Sequence, residues 1–236
     1  MKPTINILIA CEESQAECIA FRERGFRAFS CDVQACKRGG HPEWHIMADV
    51  TEFLKGRSRF QTMDGKYHRL KQWHLIVAHP PCTYLSKSGA PQLYKNPDHY
   101  IDPCGQALFV NGHRYKKMLQ ARKFFFECLD AQADFVAVEN PIPMALARLP
   151  KPSCYVEPFW YGHKYSKKTL YWLRNLPPLM AECENPQYKS FFNASRGKYR
   201  SRTFAGVAQA IAEQWGEYVA SEVKKMQRRA RKRAKR

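Results

Sequence analysis

Acidic residues are scarce in this chain: 21 Asp and Glu stand against 39 Lys and Arg, leaving a formal net charge of +18 over 236 residues. Half of that surplus lies in residues 224–236 (KKMQRRARKRAKR), which hold nine Lys/Arg and no acid. A basic tail behind a basic body is the footprint of a polyanion partner, and nucleic acid fits it best. Long apolar runs are missing too. None approaches the roughly 18–20 residues of a membrane span, and Ile5–Ala10 is shorter than the ~7–15 residues of an export signal, so it reads as a first strand. Glycine is absent from Ala10–Gln15, and no G-x-G-x-x-G occurs anywhere. That excludes the usual pyrophosphate cradle and points away from NAD. Cysteine, by contrast, is plentiful. Nine at irregular spacings, in a chain too long to need disulfide staples, argue for free thiols in a reducing, cytoplasmic setting.

Hydrophobic residues make up 44% of the chain, enough for a globular body with a substantial core. Short apolar segments read as strands at Ile5–Ala10, Phe26–Cys31, Trp44–Met47, Leu75–Ala78, Asp134–Val138, Tyr155–Tyr161 and Thr169–Leu173. Helical patterns follow the first strand through Cys18–Arg22, closed by Gly25, and occupy Arg114–Gln132 and the stretch from Thr203 into the tail. Thr51 is a candidate cap for a short helix. Residues 83–111 read as a long polar loop of functional type. Strands alternating with helices predict an α/β Rossmann-like sheet, mostly parallel with an antiparallel last strand. One domain over 1–220 and a basic C-terminal tail over 221–236 are expected.

Pro80-Pro81-Cys82 follows the buried-type strand Leu75–Ala78, and two prolines cannot extend its hydrogen-bond ladder. Cys82 is thereby expected in the loop at the carboxyl edge of the sheet, where ligands bind in open α/β folds. A thiol there is either a packed structural cysteine or a nucleophile. Glu139-Asn140-Pro141 follows the adjacent strand, so a carboxylate would open onto the same cleft and serve as a proton-handling partner. Asp32 ends the second strand, where nucleoside-binding folds keep a carboxylate for ribose hydroxyls; Asp49 ends the third, and with the turn after the first strand they outline a pocket for an adenosine-containing cofactor. Cys31, Cys36, His41 and His45 have a loosely zinc-like spacing, but Cys31 lies inside a strand and spoils a tetrahedral site, so no metal is expected.

Pro80-Pro81-Cys82 and Glu139-Asn140-Pro141, with their strands, resemble the Pro-Pro-Cys and Glu-Asn-Val motifs of the cytosine-C5 DNA methyltransferases. The chain is more closely similar to a compact form of that family found in bacteriophages and prophages, which would place it in a host cytoplasm. The likeness runs in order over about residues 5–218. It rests on Ala10-Cys11-Glu12, Ser30-Cys31-Asp32, Ala78-His79-Pro80-Pro81-Cys82-Thr83-Tyr84-Leu85, Val138-Glu139-Asn140-Pro141, Tyr161-Gly162-His163, Leu176-Pro177-Pro178-Leu179 and Arg200-Ser201-Arg202-Thr203-Phe204.

The resemblance implies S-adenosyl-L-methionine as cofactor and cytosine in DNA as substrate, either flipped from a duplex or already single-stranded. It implies that Cys82 adds to C6 of cytosine, that Glu139 contacts N3 and the exocyclic amine, and that Asn140 holds the loop. Asp32 would bind the cofactor ribose and Asp49 its adenine. Ala10, Cys11, Glu12 and Ser14 would lie near the methionine end, with Pro80 also against the cofactor. Three departures are visible. The family's Phe-x-Gly-x-Gly is replaced by Ala10-Cys11-Glu12-Glu13-Ser14. Its Gln-x-Arg-x-Arg has no clean match, leaving Lys168, Lys167 or Arg202 as substitutes. Its target-recognition domain is missing, since only residues 173–202 separate Trp172 from Thr203. Phosphate contacts would then dominate DNA binding, with low or very short sequence specificity. Two other readings stand beside this one: a non-catalytic nucleic-acid-binding protein on the same scaffold, and an enzyme acting on free pyrimidine nucleotides.

Overall fold

The computed structural model describes residues 4–37, 39–182, 189–190 and 203–233. Its strands with the most apolar sequences sit at the centre of one seven-stranded sheet. The strands are β1 (Asn6–Ala10), β2 (Arg27–Asp32), β3 (His45–Met47), β4 (Leu75–Ala78), β5 (Phe135–Pro141), β6 (Cys154–Val156) and β7 (Thr169–Arg174), in the order 6-7-5-4-1-2-3. Neighbours from β5 through β3 are parallel. The last strand, β7, runs antiparallel to both β5 and β6. The Rossmann-like, mostly parallel sheet with an antiparallel last strand is therefore what the chain forms. Its strand order reverses between β4 and β1, so the crevice of a doubly wound sheet opens there.

Each face of the sheet carries its own core because side chains alternate along a strand. Leu8, Ile76, Val136 and Trp172 pack under α2 (Thr51–Leu54) and α3 (Gly112–Leu129). Ile7, Ile9, Val77, Ala137 and Tyr171 pack on the other face under α1 (Ala16–Glu23) and α4 (Ala205–Ala210). A π-helical turn, Ile211–Trp215, joins α4 to α5 (Gly216–Arg233). The last buried residue of α5 is Val223; everything from Lys224 to Arg233 is exposed, so the basic tail begins as a free helix. Among the described residues, no helix is long and apolar enough to cross a membrane.

Several expectations are corrected. Residues 83–111 are not one loop: a 3-10 segment, Lys87–Leu93, is followed by a hairpin of Asp98–Ile101 with Ala107–Val110. Asp102 closes its turn by accepting from the amides of Cys104 and Gln106, local chemistry that polar composition concealed. A second hairpin, Arg59–Gln61 with Tyr67–Arg69, was not expected, although Asp64-Gly65 is a turn signal. Thr51 is the first residue of α2 rather than its cap; its amide and hydroxyl both donate to Asp49. Tyr155–Tyr161 is strand only to Val156, because Pro158 opens a 3-10 turn. β5 extends through Glu139, Asn140 and Pro141, since β7 pairs with all three.

Candidate active site

β4 ends at Ala78, and the His79 amide makes one further bond across to the Ala10 carbonyl, 2.9 Å. The diproline then turns the chain out of the sheet, with Pro80 buried and Pro81 exposed. Cys82 follows, half-buried, and its carbonyl accepts from the amides of Leu85 and Ser86. Backbone pairing fixes this loop to the segment after β5. Lys87 N donates to Ile142 O (2.7 Å), Met144 N donates to Leu85 O (2.8 Å), and Ser86 bridges Pro143. Asn140 was expected to hold the loop; its amide is wholly buried on the α3 side, with neither polar atom hydrogen-bonded among the described residues. The backbone does that work instead.

Glu139 lies on the other face of β5, opposite Tyr171 of β7. It lines a small recess with Lys167, Thr169, Thr203 and Phe204. The reversed direction of β7 explains the presence of Lys167. Because β7 runs backwards, its first residues lie at the edge where β4 and β5 finish. Next to the recess α4 packs tightly on the Pro158–Tyr161 turn: a Cβ on Gly206 would come within 2.1 Å of the Tyr161 carbonyl oxygen, and the Gly206 amide donates to His163 Nε2 at 2.9 Å.

The electrostatics tie these residues together. Burial pushes the Cys82 thiol above its usual range, the Glu139 charge pushes it further, and Lys167 opposes both. Burial lowers the Lys167 ammonium, while Glu139 and Cys82 support its charge. Lys168, expected beside the reaction, is placed elsewhere: it is exposed, with its ammonium 4.0 Å from the centre of the Tyr155 ring. Lys167 is the cation that shares the site. Arg202 lies outside the described residues, as do Arg200 and Ser201.

Sequence reasoning did not single out His79 or Glu17. The largely enclosed His79 ring lies between two carboxylates, Nδ1 at 3.3 Å from Glu139 Oε2 and Nε2 at 3.1 Å from Glu17 Oε1. The second contact is an ion pair without hydrogen-bond alignment. Burial opposes a charge on this ring, but Glu17 and Glu139 outweigh it and raise its pKa well above the ordinary histidine value. One signal was available, a glutamate flanked by the apolar residues Ala16 and Cys18 in the first turn of α1.

The other half of the sheet edge gathers the residues expected to meet a cofactor. Cys11 and Gln15 adopt left-handed backbone angles, φ 62° and 59°, so ordinary residues make the turn that glycine would make more cheaply. The amides of Cys11 and Glu12 both donate to the Cys31 carbonyl. Glu12 is buried, and its carboxylate accepts from the amides of Glu17 and Cys18, so it caps α1. Burial first, then the Glu17 charge, pushes it up to about 8. Ser14 is half-buried in the same turn. Gln15 is wholly buried and locks the turn across to β2, donating to Ser30 Oγ and the His41 carbonyl and accepting from the His41 amide.

Asp32 and Asp49 converge on Cys11. Burial, then these two charges in order, pushes the Cys11 thiol up to about 12. Asp49 is exposed, and its bonds to Thr51 lower it below the usual carboxylate range. This set fits an adenosine: two carboxylates at the strand ends suit ribose hydroxyls and an adenine amine. The zinc-like residues have other partners. His45 bonds Ser30 Oγ and the Gln34 carbonyl, His41 pairs with Glu43, and Cys31 packs in the α2–α3 core. No group of metal-ligating residues occurs among the described residues.

No protein-family model matches the chain, and no curated protein matches it. Among solved structures, it is similar to a protein described as a candidate DNA modification methyltransferase encoded within an E. coli prophage. The identity is 12% and the TM-score 0.40, over 72% of this chain and 46% of that one, so the chain spans less than half of that protein's length.

Proposed function

We propose that this protein is an S-adenosyl-L-methionine-dependent DNA methyltransferase acting at C5 of cytosine. The single observation that carries the reading is the meeting of a thiol, a carboxylate and a cation, Cys82, Glu139 and Lys167, at the carboxyl edge of adjoining strands. Asp32 and Asp49 would hold the cofactor's ribose and adenine, and Pro80 and the Ala10–Ser14 turn would border it. When bound, the cofactor supplies an electrophilic methyl group.

The chain's own groups account for the rest. The Cys82 thiol is protonated at rest, because burial and the Glu139 charge disfavour its thiolate. A cytosine whose amine donates to Glu139 disperses that charge, and the thiol proton is taken up at N3, where it bridges to the carboxylate, so substrate binding and thiolate formation assist one another. The Cys82 sulfur then bonds to C6, and the C5–C6 π electrons make C5 nucleophilic. After methylation, a base removes the C5 proton, the C6–S bond breaks with its electrons returning to sulfur, and the double bond re-forms. Lys167 opposes the resting charge of Glu139 and stabilises the thiolate before attack and after release.

The body over 1–220 would carry the chemistry, and the basic segment 221–236 would contact phosphates without reading sequence. A target base inside a duplex must be flipped to reach Cys82. DNA containing 5-fluorocytosine, incubated with S-adenosyl-L-methionine, tests the reading, because a C5 fluorine cannot leave as a proton. A covalent complex should form through Cys82 and be absent from Cys82→Ala. Failure of the wild type to form it, while the cofactor is bound, overturns the reading.

A further inference from the structure

His79 connects the surface of the recess to a carboxylate that no solvent reaches. Its ring is only 13% exposed, and the Glu17 side chain is fully buried. Glu17 Oε1 also accepts the Thr203 hydroxyl at 3.3 Å, while Oε2 has no hydrogen-bond partner among the described residues. The groups facing this cluster come from every neighbouring element. Glu12 and Glu17 approach from the β1–α1 side, Glu139 and Tyr171 from β5 and β7, and Lys167 and Thr203 from the recess. Within the core the imidazole is the cation among these carboxylates.

Replacing a buried ion set by apolar side chains is commonly neutral or stabilising, so fold stability alone is a weak reason for this one. Its outward end is more informative. Of the two carboxylates on His79, only Glu139 lines the recess. A carboxylate on an extended side chain samples several rotamers unless another group anchors it.

We propose that Glu17 and His79 are positioning residues for Glu139: the ring, held by Glu17, anchors Glu139 Oε2 and so fixes how the carboxylate faces the recess. This rests on the reading of Glu139 as the group that meets the pyrimidine. With Oε2 held against the His79 ring, Oε1 is the oxygen left to meet a bound pyrimidine. Set opposite the exocyclic position, it accepts from an amino group and finds no donor on a carbonyl, so it favours a pyrimidine carrying an amino group beside N3 over one carrying a carbonyl there. The support thus contributes to selecting cytosine against uracil.

The first measurement is the nitrogen NMR titration of His79 in the full-length protein, which needs neither DNA nor cofactor. The ring should remain cationic through pH 8 in the wild type. It should titrate at lower pH in Glu17→Gln and in Glu139→Gln, the latter changing a residue at the recess rather than in the core. A neutral His79 at pH 7 in the wild type, or a titration unmoved by both substitutions, overturns the proposal. The second measurement compares adduct formation on DNA containing 5-fluorocytosine and 5-fluorouracil. Glu17→Gln should lower the preference for cytosine at least tenfold, and an unchanged ratio overturns the proposal. Absence of any wild-type adduct, with the expected titration intact, instead counts against methyl transfer itself.

Discussion

The two halves of the sheet's carboxyl edge solve different problems. Along β1, β2 and β3 the carboxylates are held by near neighbours, Asp49 by Thr51 and Asp32 by the amide of Gln34, and Gln15 reaches 15 residues to Ser30 and 26 to His41. Along β4, β5 and β7 they are held by partners far apart in sequence, Glu17 with His79 and His79 with Glu139. Local bonds fix a shape and leave carboxylates at the rim. Long-range ion pairing in a buried space links the protonation of one group to that of the next. The first half suits recognition of an unchanging ligand, and the second suits chemistry in which charge moves.

The largest test of that contrast is Glu139→Gln. It should lower methyl transfer by about 10²–10⁴-fold, the usual contribution of a proton-handling group. The same change should speed alkylation of Cys82 by iodoacetamide at pH 7–8, because a charge that raises the thiol pKa is gone. Lys167→Met should slow alkylation. If both variants alkylate at the wild-type rate, the halves do not differ as described. Removing residues 224–236 comes next: weaker DNA binding is expected, with the salt slope falling by about 0.9 for each duplex phosphate that the shortened chain no longer neutralises. Turnover at saturating DNA should be unchanged.

A smaller effect concerns pH. The folded-state pKa of Glu12 lies at about 8, above its ordinary value. Between roughly pH 5 and 8 the unfolded chain has lost this proton while the folded chain retains it, so stability falls as pH rises. His79 acts in the same direction above its ordinary value, since its folded pKa is also raised. Urea midpoints should decline across that window, and Glu12→Gln should flatten the decline. The smallest expected change is in the local half, where Asp32→Asn should weaken S-adenosyl-L-methionine binding by about tenfold, as for the removal of one charged hydrogen bond. It should leave the His79 titration in place.

The sequence made the strands of the parallel core legible, because Leu75–Ala78 and Ile5–Ala10 are apolar without interruption. Cys82 was legible through the prolines before it, and Asp32 and Asp49 through their positions at strand ends. The two hairpins were hidden because their short, half-polar strands read like loop. The choice between Lys167 and Lys168 was also hidden. Adjacent residues point to opposite sides, and only tertiary structure shows which side faces Cys82. The Glu17–His79–Glu139 connection spans three elements, so no spacing within one motif could announce it.

The reversed strand has a consequence for the order in which a growing chain acquires its parts. β6 pairs only with β7 in the main sheet, and β7 alone joins that pair to β5. β6 can therefore join the sheet only through β7, whose residues are made after Cys82 and Glu139. Until β7 docks, Lys167 has not reached the sheet edge, and until α4 closes over the other face Thr203 has not met Glu17. A nascent or truncated chain would carry the thiol without its cation. Synthesis itself delays the reactive edge until the body is complete.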